Sequence, residues 1–255
     1  ILDSRKRNFD IILQLGYTSS SVWHFLLPKK PLIITNMDGL EWKRTKYSKS
    51  VQKVLKFAEK LAVKSSDYLV SDSIGIQKYL QNKYQKSSTY IAYGAHQFLN
   101  PEQAVLENYN VKPQEFNMIL ARLEPENNIE PILDGIVLSE TKTPILVIGN
   151  HETKFGNYLK EKFKNTANIR FIGAVYNMNH LDNLRYYSNI YFHGHSVGGT
   201  NPSLLEAMAS KALILAHNND FNRAILKENA YYFSTSEDVK NLTLKTKKND
   251  NLQLI

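Results

Sequence analysis

Ten short apolar runs, each bounded by Gly, Asn or Pro, recur along the chain at residues 9–15, 31–35, 67–71, 88–92, 116–121, 144–149, 168–173, 189–193, 212–216 and 230–233, with helical patterns between most of them. Strand-length runs that alternate with helices are the signature of βα units, and their crossovers impose a parallel sheet. The expected fold class is therefore α/β. With 255 residues, 42% of them hydrophobic, the chain carries enough apolar material for one large core or two modest ones. The polar, proline-flanked tract from Asn100 to Pro113 follows one strand and precedes another, which predicts two domains, 1–112 and 113–255. The first strand-like run comes almost at once after Ile1, with no initiator Met, so the first domain is expected to be incomplete at its N-terminus, and the C-terminus to be cut short as well.

Several classes of function drop out on composition. No run approaches the ~18 to 20 apolar residues of a membrane-crossing helix, and the start lacks a signal-peptide pattern, so a cytoplasmic location is expected. The absence of cysteine removes disulfides, thiolate metal sites and cysteine nucleophiles. A formal net charge of +8 predicts attraction to an anionic partner: nucleic acid, an acidic lipid surface or a phosphorylated substrate.

Part of that charge is ordered. From Val51, at about 100° per residue, Val54, Leu55, Ala58, Leu61 and Ala62 share one helical face, and Lys49, Lys53, Lys56, Lys60 and Lys64 gather on the opposite one. A lysine ridge of this kind is either a solvated face or a docking surface for an anionic leaflet or a pyrophosphate-linked lipid.

The most informative string follows the strand at Ile190: His193-Gly194-His195-Ser196-Val197-Gly198-Gly199-Thr200-Asn201-Pro202-Ser203-Leu204-Leu205-Glu206-Ala207-Met208. A strand ends in a glycine-rich loop, Asn201 can cap a helix, and Pro202 takes its first position, where a missing N–H costs nothing. Free amides of Gly198, Gly199, Thr200 and Asn201 at such a helix start would cradle a diphosphate, with the helix dipole favouring its charge. Glu206, about one turn into the helix, is placed to accept from ribose hydroxyls. A glycine-rich strand-to-helix turn is also an ordinary packing device. His193 and His195 flank a glycine, but no third ligand lies at zinc spacing; one ring is expected in the core and His195 toward the donor, with no metal.

Pro202-Ser203-Leu204-Leu205-Glu206-Ala207-Met208-Ala209, followed by the strand at Ala212, resembles the signature of family 4 of the retaining glycosyltransferases. Arg122-Leu123-Glu124-Pro125-Glu126-Asn127, after the strand at Phe116, is similar to the family's cationic stretch. Phe171-Ile172-Gly173-Ala174-Val175 is similar to its base-holding segment, and weaker likeness extends to Asp220-Phe221-Asn222-Arg223 and Ala92-Tyr93-Gly94-Ala95. The resemblance implies a GT-B architecture, two Rossmann-like parallel-sheet domains facing a cleft, with the nucleotide sugar held mainly by the second. It assigns to the donor site Arg122, Asn127, Gly149, Val175, His195, Gly198, Gly199, Thr200, Asn201 and Glu206, and gives Glu206 a catalytic role as well. Two positions depart from the pattern. Asn127 stands where a lysine is usual, and Gly198 where the first of two glutamates is usual.

Thr35-Asn36-Met37-Asp38-Gly39-Leu40-Glu41-Trp42 resembles the acceptor-side loop of a bacterial subgroup that includes capsule and O-antigen rhamnosyltransferases. Asp38, as catalytic base beside Glu41, would orient or deprotonate an acceptor hydroxyl. Asp-Gly is also a common turn pair. The implied activity is transfer of a hexosyl group from a nucleoside diphosphate sugar, dTDP-rhamnose or a UDP-sugar, to a glycan on a polyprenyl pyrophosphate. It would need no metal or other cofactor, and the protein would sit at the inner face of the plasma membrane on its lysine ridge. The alternatives are a nucleotide-sugar-binding fragment without turnover and a basic nucleic-acid-binding module. The second is disfavoured because the basic residues are not interleaved with aromatic ones on strands, and no nucleic-acid partner is expected.

Overall fold

The structure, a computed structural model, describes residues 2–44, 47–197 and 199–248. They form two compact units, one within Ile1–Tyr93 and Val197–Thr200, the other within Gly94–Ser196 and Asn201–Ile255.

The first unit begins with the short helix α1 (Leu2–Lys6) and carries a four-stranded sheet of β1 (Ile11–Gln14), β2 (Leu32–Asn36), β3 (Tyr68–Ser71) and β4 (Thr89–Tyr90), in that order and all parallel. The crossovers are a 3-10 turn at Ser21–Leu26 and the helices α2 (Lys49–Ser65) and α3 (Ile74–Tyr84). Ser48 and Ser73 cap the two helices, their hydroxyls accepting from the amides of Val51 and Ile76. Successive strand residues point to opposite faces. Gln14, Ile33, Thr35, Leu69 and Ser71 are buried on one face, whereas Ile11, Leu13, Leu32 and Tyr68 on the other stay 46 to 58% exposed. Parallel sheets are usually covered on both sides; among the described residues, one face of this sheet is covered.

Its buried centre is partly polar. The Glu59 carboxylate, 1% exposed, accepts from Trp42 Nε1 (2.7 Å), Tyr79 OH (2.7 Å), Tyr84 OH (2.6 Å) and Lys83 Nζ (2.9 Å). Lys83 sits over the rings of Trp42, Tyr79 and Tyr84 at 4.7 to 5.3 Å. This knot rotates α2 away from the stripe expected from periodicity. The buried residues of α2 are Leu55, Ala58, Glu59, Ala62 and Val63, and Val51 and Val54 lie 41% and 59% exposed. A charged residue thus occupies the core face because four donors meet it there, and the valines are displaced to solvent.

The second unit has a six-stranded parallel sheet in the order β10-β9-β8-β5-β6-β7. Its strands are β5 (Asn117–Leu120), β6 (Ile145–Ile148), β7 (Ile169–Gly173), β8 (Ile190–His193), β9 (Ile214–His217) and β10 (Tyr231–Phe233). Helices α4 (Ile129–Leu138), α5 (Lys154–Lys162), α6 (Met178–Tyr187), α7 (Pro202–Ala209), α8 (Asp220–Leu226) and α9 (Ser236–Lys245) follow them in turn. Alternation along the strands builds two cores. Ile119, Ile145, Val147, Phe192 and Leu215 join Ile132, Leu133 and Val239 in one, and Met118, Leu146, Ile148, Tyr191 and Ile214 join Leu184 and Leu204 in the other. Gly135 lets α4 and α9 touch: a Cβ there would lie 2.5 Å from Val239 Cβ.

All ten apolar runs overlap a strand. The boundary expected after residue 112 falls inside the second unit. The tract is not wholly polar: the 3-10 turn Gln103–Tyr109 buries Val105 and Leu106, and the Glu102 amide donates to Asn183 Oδ1 at 2.6 Å.

Candidate functional site

In the second unit every strand runs the same way, so every following loop leaves from the carboxyl edge of the sheet. The order reverses between β5 and β8, a topological switch point, outside which open α/β sheets form their ligand crevice. Hydrogen bonds join the loops after these two strands. Ser196 donates to the Glu126 carbonyl from both its amide (3.1 Å) and its hydroxyl (2.7 Å). Asn128 Nδ2 donates to the Gly194 carbonyl at 2.8 Å. Gly194 is required there, since a Cβ would come within 2.0 Å of the Asn127 carbonyl oxygen.

Arg122 lies two residues beyond the end of β5 and is exposed. Asn127 does not stand beside it as a second ligand group. It is 5% exposed, and its Nδ2 donates to the Arg122 carbonyl at 2.7 Å, so it shapes the loop that carries the arginine. Gly149 ends β6 with a φ of +152°, donates its amide to the Gly173 carbonyl at 2.9 Å, and has no room for a side chain. Val175 packs against the second core just beyond β7.

Helix α7 begins as its sequence predicts. Asn201 Oδ1 accepts from the Ser203 amide at 2.9 Å and Pro202 takes the first turn. Glu206 is held by Arg185, a fully buried guanidinium on α6 whose Nη1 also pairs with Asp182 Oδ1 at 2.8 Å, leaving the Glu206 side chain 32% exposed. Nothing in the string Asn183-Leu184-Arg185 distinguishes this arginine from a surface one; only the fold brings it to Glu206. His193 is fully buried, with neither ring nitrogen hydrogen-bonded, and stacks on His195 at 4.5 Å. Burial first, and then His195, hold its pKa well below the ordinary imidazole value, so it is neutral. The His195 carbonyl accepts from Asn219 (3.0 Å) and Asn222 (3.1 Å).

The first unit holds the acidic residues. Asp38 adopts a φ of +45°, a conformation Asp tolerates, with its amide donating to Asn36 Oδ1 at 3.3 Å. Burial, reinforced by Glu41, raises its pKa above the usual carboxylate range. Glu41 is itself paired with Arg44 at 2.7 Å.

Asp72, at the end of β3, was not marked by its sequence, because Ser71-Asp72-Ser73 reads as a plain helix cap. Its Oδ2 accepts from the Thr200 amide at 2.8 Å, and its carbonyl accepts from the Thr200 hydroxyl at 2.9 Å. The Thr200 amide is therefore not free for a phosphate, contrary to expectation. A Cβ at Gly199 would lie 2.4 Å from Asp72 Oδ2, so a side chain there would displace the carboxylate from this contact. Burial raises the Asp72 pKa, the Thr200 amide opposes the rise, and Asp38 adds to it. Gly198 lies outside the described residues. Lys49, Lys53, Lys60 and Lys64 are exposed along α2, and Lys56, exposed too, lies over the Trp42 ring at 4.9 Å. Among the described residues no helix is long and apolar enough to cross a membrane.

No curated protein sequence matches the chain. Residues 26–96 match a domain of unknown function (DUF1972), and residues 105–250 match the glycosyl transferases group 1 family. Among solved structures, HepE from Anabaena, crystallised with UDP and glucose, superposes with a TM-score of 0.76 at 13% identity over 92% of this chain and 67% of its own. A glycosyltransferase from Rickettsia africae gives 0.73 at 16% identity, over 99% and 72%. Sucrose-phosphate synthase from Thermosynechococcus elongatus gives 0.74 at 13% identity, over 99% and 68%. The chain thus spans about two thirds of these structures, whose two-sheet GT-B fold it shares. With more than half of its length matched by that profile, the chain belongs to the glycosyl transferases group 1 family.

Proposed function

We propose that the protein transfers a hexosyl group from a nucleoside diphosphate sugar to a hydroxyl of a lipid-linked glycan in capsule or O-antigen assembly, as a retaining enzyme of family 4 close to the rhamnosyltransferases. The carrying observation is the switch point between β5 and β8, with exposed Arg122 in the loop after β5 and the capped start of α7 in the connection after β8. That UDP-glucose was crystallised in a protein of the same fold supports a nucleotide sugar as its ligand.

In this reading Arg122 and the start of α7 hold the diphosphate as it departs with the bonding electron pair of the anomeric carbon–oxygen bond, and no metal is assigned. Glu206, fixed by Arg185, accepts from ribose, and Val175 and Gly149 border the base. Asp38 takes the proton of the attacking hydroxyl, for which a raised pKa suits it. Asp72 orders the glycine loop through Thr200. Gly198 and Asn127, in place of a carboxylate and a lysine, favour a second reading of nucleotide-sugar binding without turnover.

Calorimetry with UDP, dTDP, GDP and a short oligonucleotide tests the class. One diphosphate should bind, and Arg122→Ala should weaken it far more than the nucleoside alone. Glu206→Ala should cost about 1.5 to 3 kcal/mol of nucleotide affinity. Tight oligonucleotide binding with no response to any diphosphate defeats the proposal, and diphosphate binding without sugar transfer selects the second reading.

A further inference from the structure

The structure divides the solvent side of α2 into a lysine strip and an apolar strip, the second of which periodicity had assigned in part to the core. Val54 and Phe57 are 59% and 58% exposed, and with half-buried Leu61 they lie at about 80° to 140° around the helix from Lys49, at 100° per residue. Lys53, Lys60 and Lys64 lie beside them at about 20° to 60°. The core face, Leu55 through Val63, lies on the far side. A helix whose free half is divided between an apolar strip and a lysine strip matches an interfacial helix lying in the plane of a bilayer, with apolar side chains among the acyl chains and lysines reaching the phosphates.

A second element points the same way. The 3-10 turn Ser21–Leu26 packs on α2, with Ser21 Oγ donating to the Ala58 carbonyl at 2.9 Å, and it leaves Trp23 52% and Phe25 67% exposed, ahead of exposed Lys29 and Lys30. Indole and phenyl rings beside lysines are the composition of a membrane-interface patch. The Lys56 ammonium, drawn to Trp42, stands apart from it.

We propose that α2 and the Ser21–Leu26 turn form a wedge that seats the protein on an anionic lipid surface, with Phe57 and Val54 entering the acyl region and Lys53, Lys60 and Lys64 engaging headgroup phosphates. The proposal deepens the reading of a lipid-linked acceptor and rests on it for its purpose, but it is tested apart from sugar chemistry.

Co-sedimentation of the whole chain with vesicles of phosphatidylglycerol and phosphatidylcholine, against pure phosphatidylcholine, should show binding to the anionic vesicles alone. Converting Lys53, Lys60 and Lys64 to Gln should reduce binding about a hundredfold at physiological salt. Phe57→Ser should reduce it about tenfold and remove the part that survives high salt. Phe57→Trp should be quenched by lipids brominated along the acyl chain. Circular dichroism and the affinity for UDP, dTDP or GDP should not change in any variant, because every substituted side chain is exposed. Sedimentation of the triple-Gln or Phe57→Ser variant like the parent, or displacement of the parent from vesicles by an oligonucleotide at equal charge, overturns the wedge. Loss of nucleotide binding in the parent would instead overturn the glycosyltransferase reading and leave the vesicle result standing.

Discussion

The two sheets solve one problem by different means. The six-stranded sheet is covered on both faces by apolar cores, and its buried strand residues are almost all aliphatic or aromatic. Among the described residues the four-stranded sheet is covered on one face, exposes Ile11, Leu13 and Tyr68 on the other, and places Glu59, Thr35, Ser71 and Asp72 inside. Non-directional burial tolerates changes that keep volume, whereas a polar interior depends on each partner being present. The first unit should therefore be the more sensitive to loss of a single hydrogen-bonding group, and the second to loss of volume.

The largest effect should come from Phe192→Ala in the doubly covered sheet, about 3 to 5 kcal/mol by denaturant unfolding, against about 2 kcal/mol for Leu69→Ala in the first. Equal costs would mean that the open face does not weaken the core behind it. Next, Glu59→Ala should cost about 3 kcal/mol, because Lys83 and three other donors lose their acceptor, and Glu59→Leu should not restore it. Restoration by leucine would reduce the knot to ordinary packing.

The neutral His193 makes the second unit sensitive to acid. A folded-state pKa held below the unfolded value means that the unfolded chain binds the extra proton, so stability is complete above about pH 6.5 and falls as pH drops below it, by up to about 1.4 kcal/mol per pH unit. Urea midpoints between pH 7.5 and 5 should show this slope, and His193→Gln should flatten it. The smallest effect, about 1 kcal/mol, is expected for Asn201→Ala, which removes the α7 cap and leaves both cores intact.

The sequence revealed what is local. Strand-length apolar runs, Asn201 before Pro202, and Gly194 at the end of β8 are read within a few residues, and each stands where its own chemistry puts it. The contacts that escaped reading join distant positions. Asp72 meets Thr200 across 128 residues, Arg185 meets Glu206 across 21, and Glu59 collects donors from Trp42 to Tyr84. Periodicity placed Val51 and Val54 in the core because it weighs hydropathy alone and cannot see that a charged residue will gather four partners. Asn127 was taken for a ligand group by its place in a string, whereas its amide turns inward to the Arg122 carbonyl.

The pairing at the switch point also carries a kinetic consequence. Asn117 of β5 pairs with Ile190 of β8, a separation of 190 − 117 = 73 residues, whereas β5 to β6 spans 145 − 117 = 28 and β8 to β9 spans 214 − 191 = 23. Closing the longest loop carries the greatest entropy cost, so the β5–β8 junction should be the last of these pairings to form and the ligand crevice should be absent from the earlier part of the folding path. A nucleotide that fits the crevice would then slow unfolding and leave the rate of folding almost unchanged, and a chevron measured with and without UDP would show one limb move and the other stay.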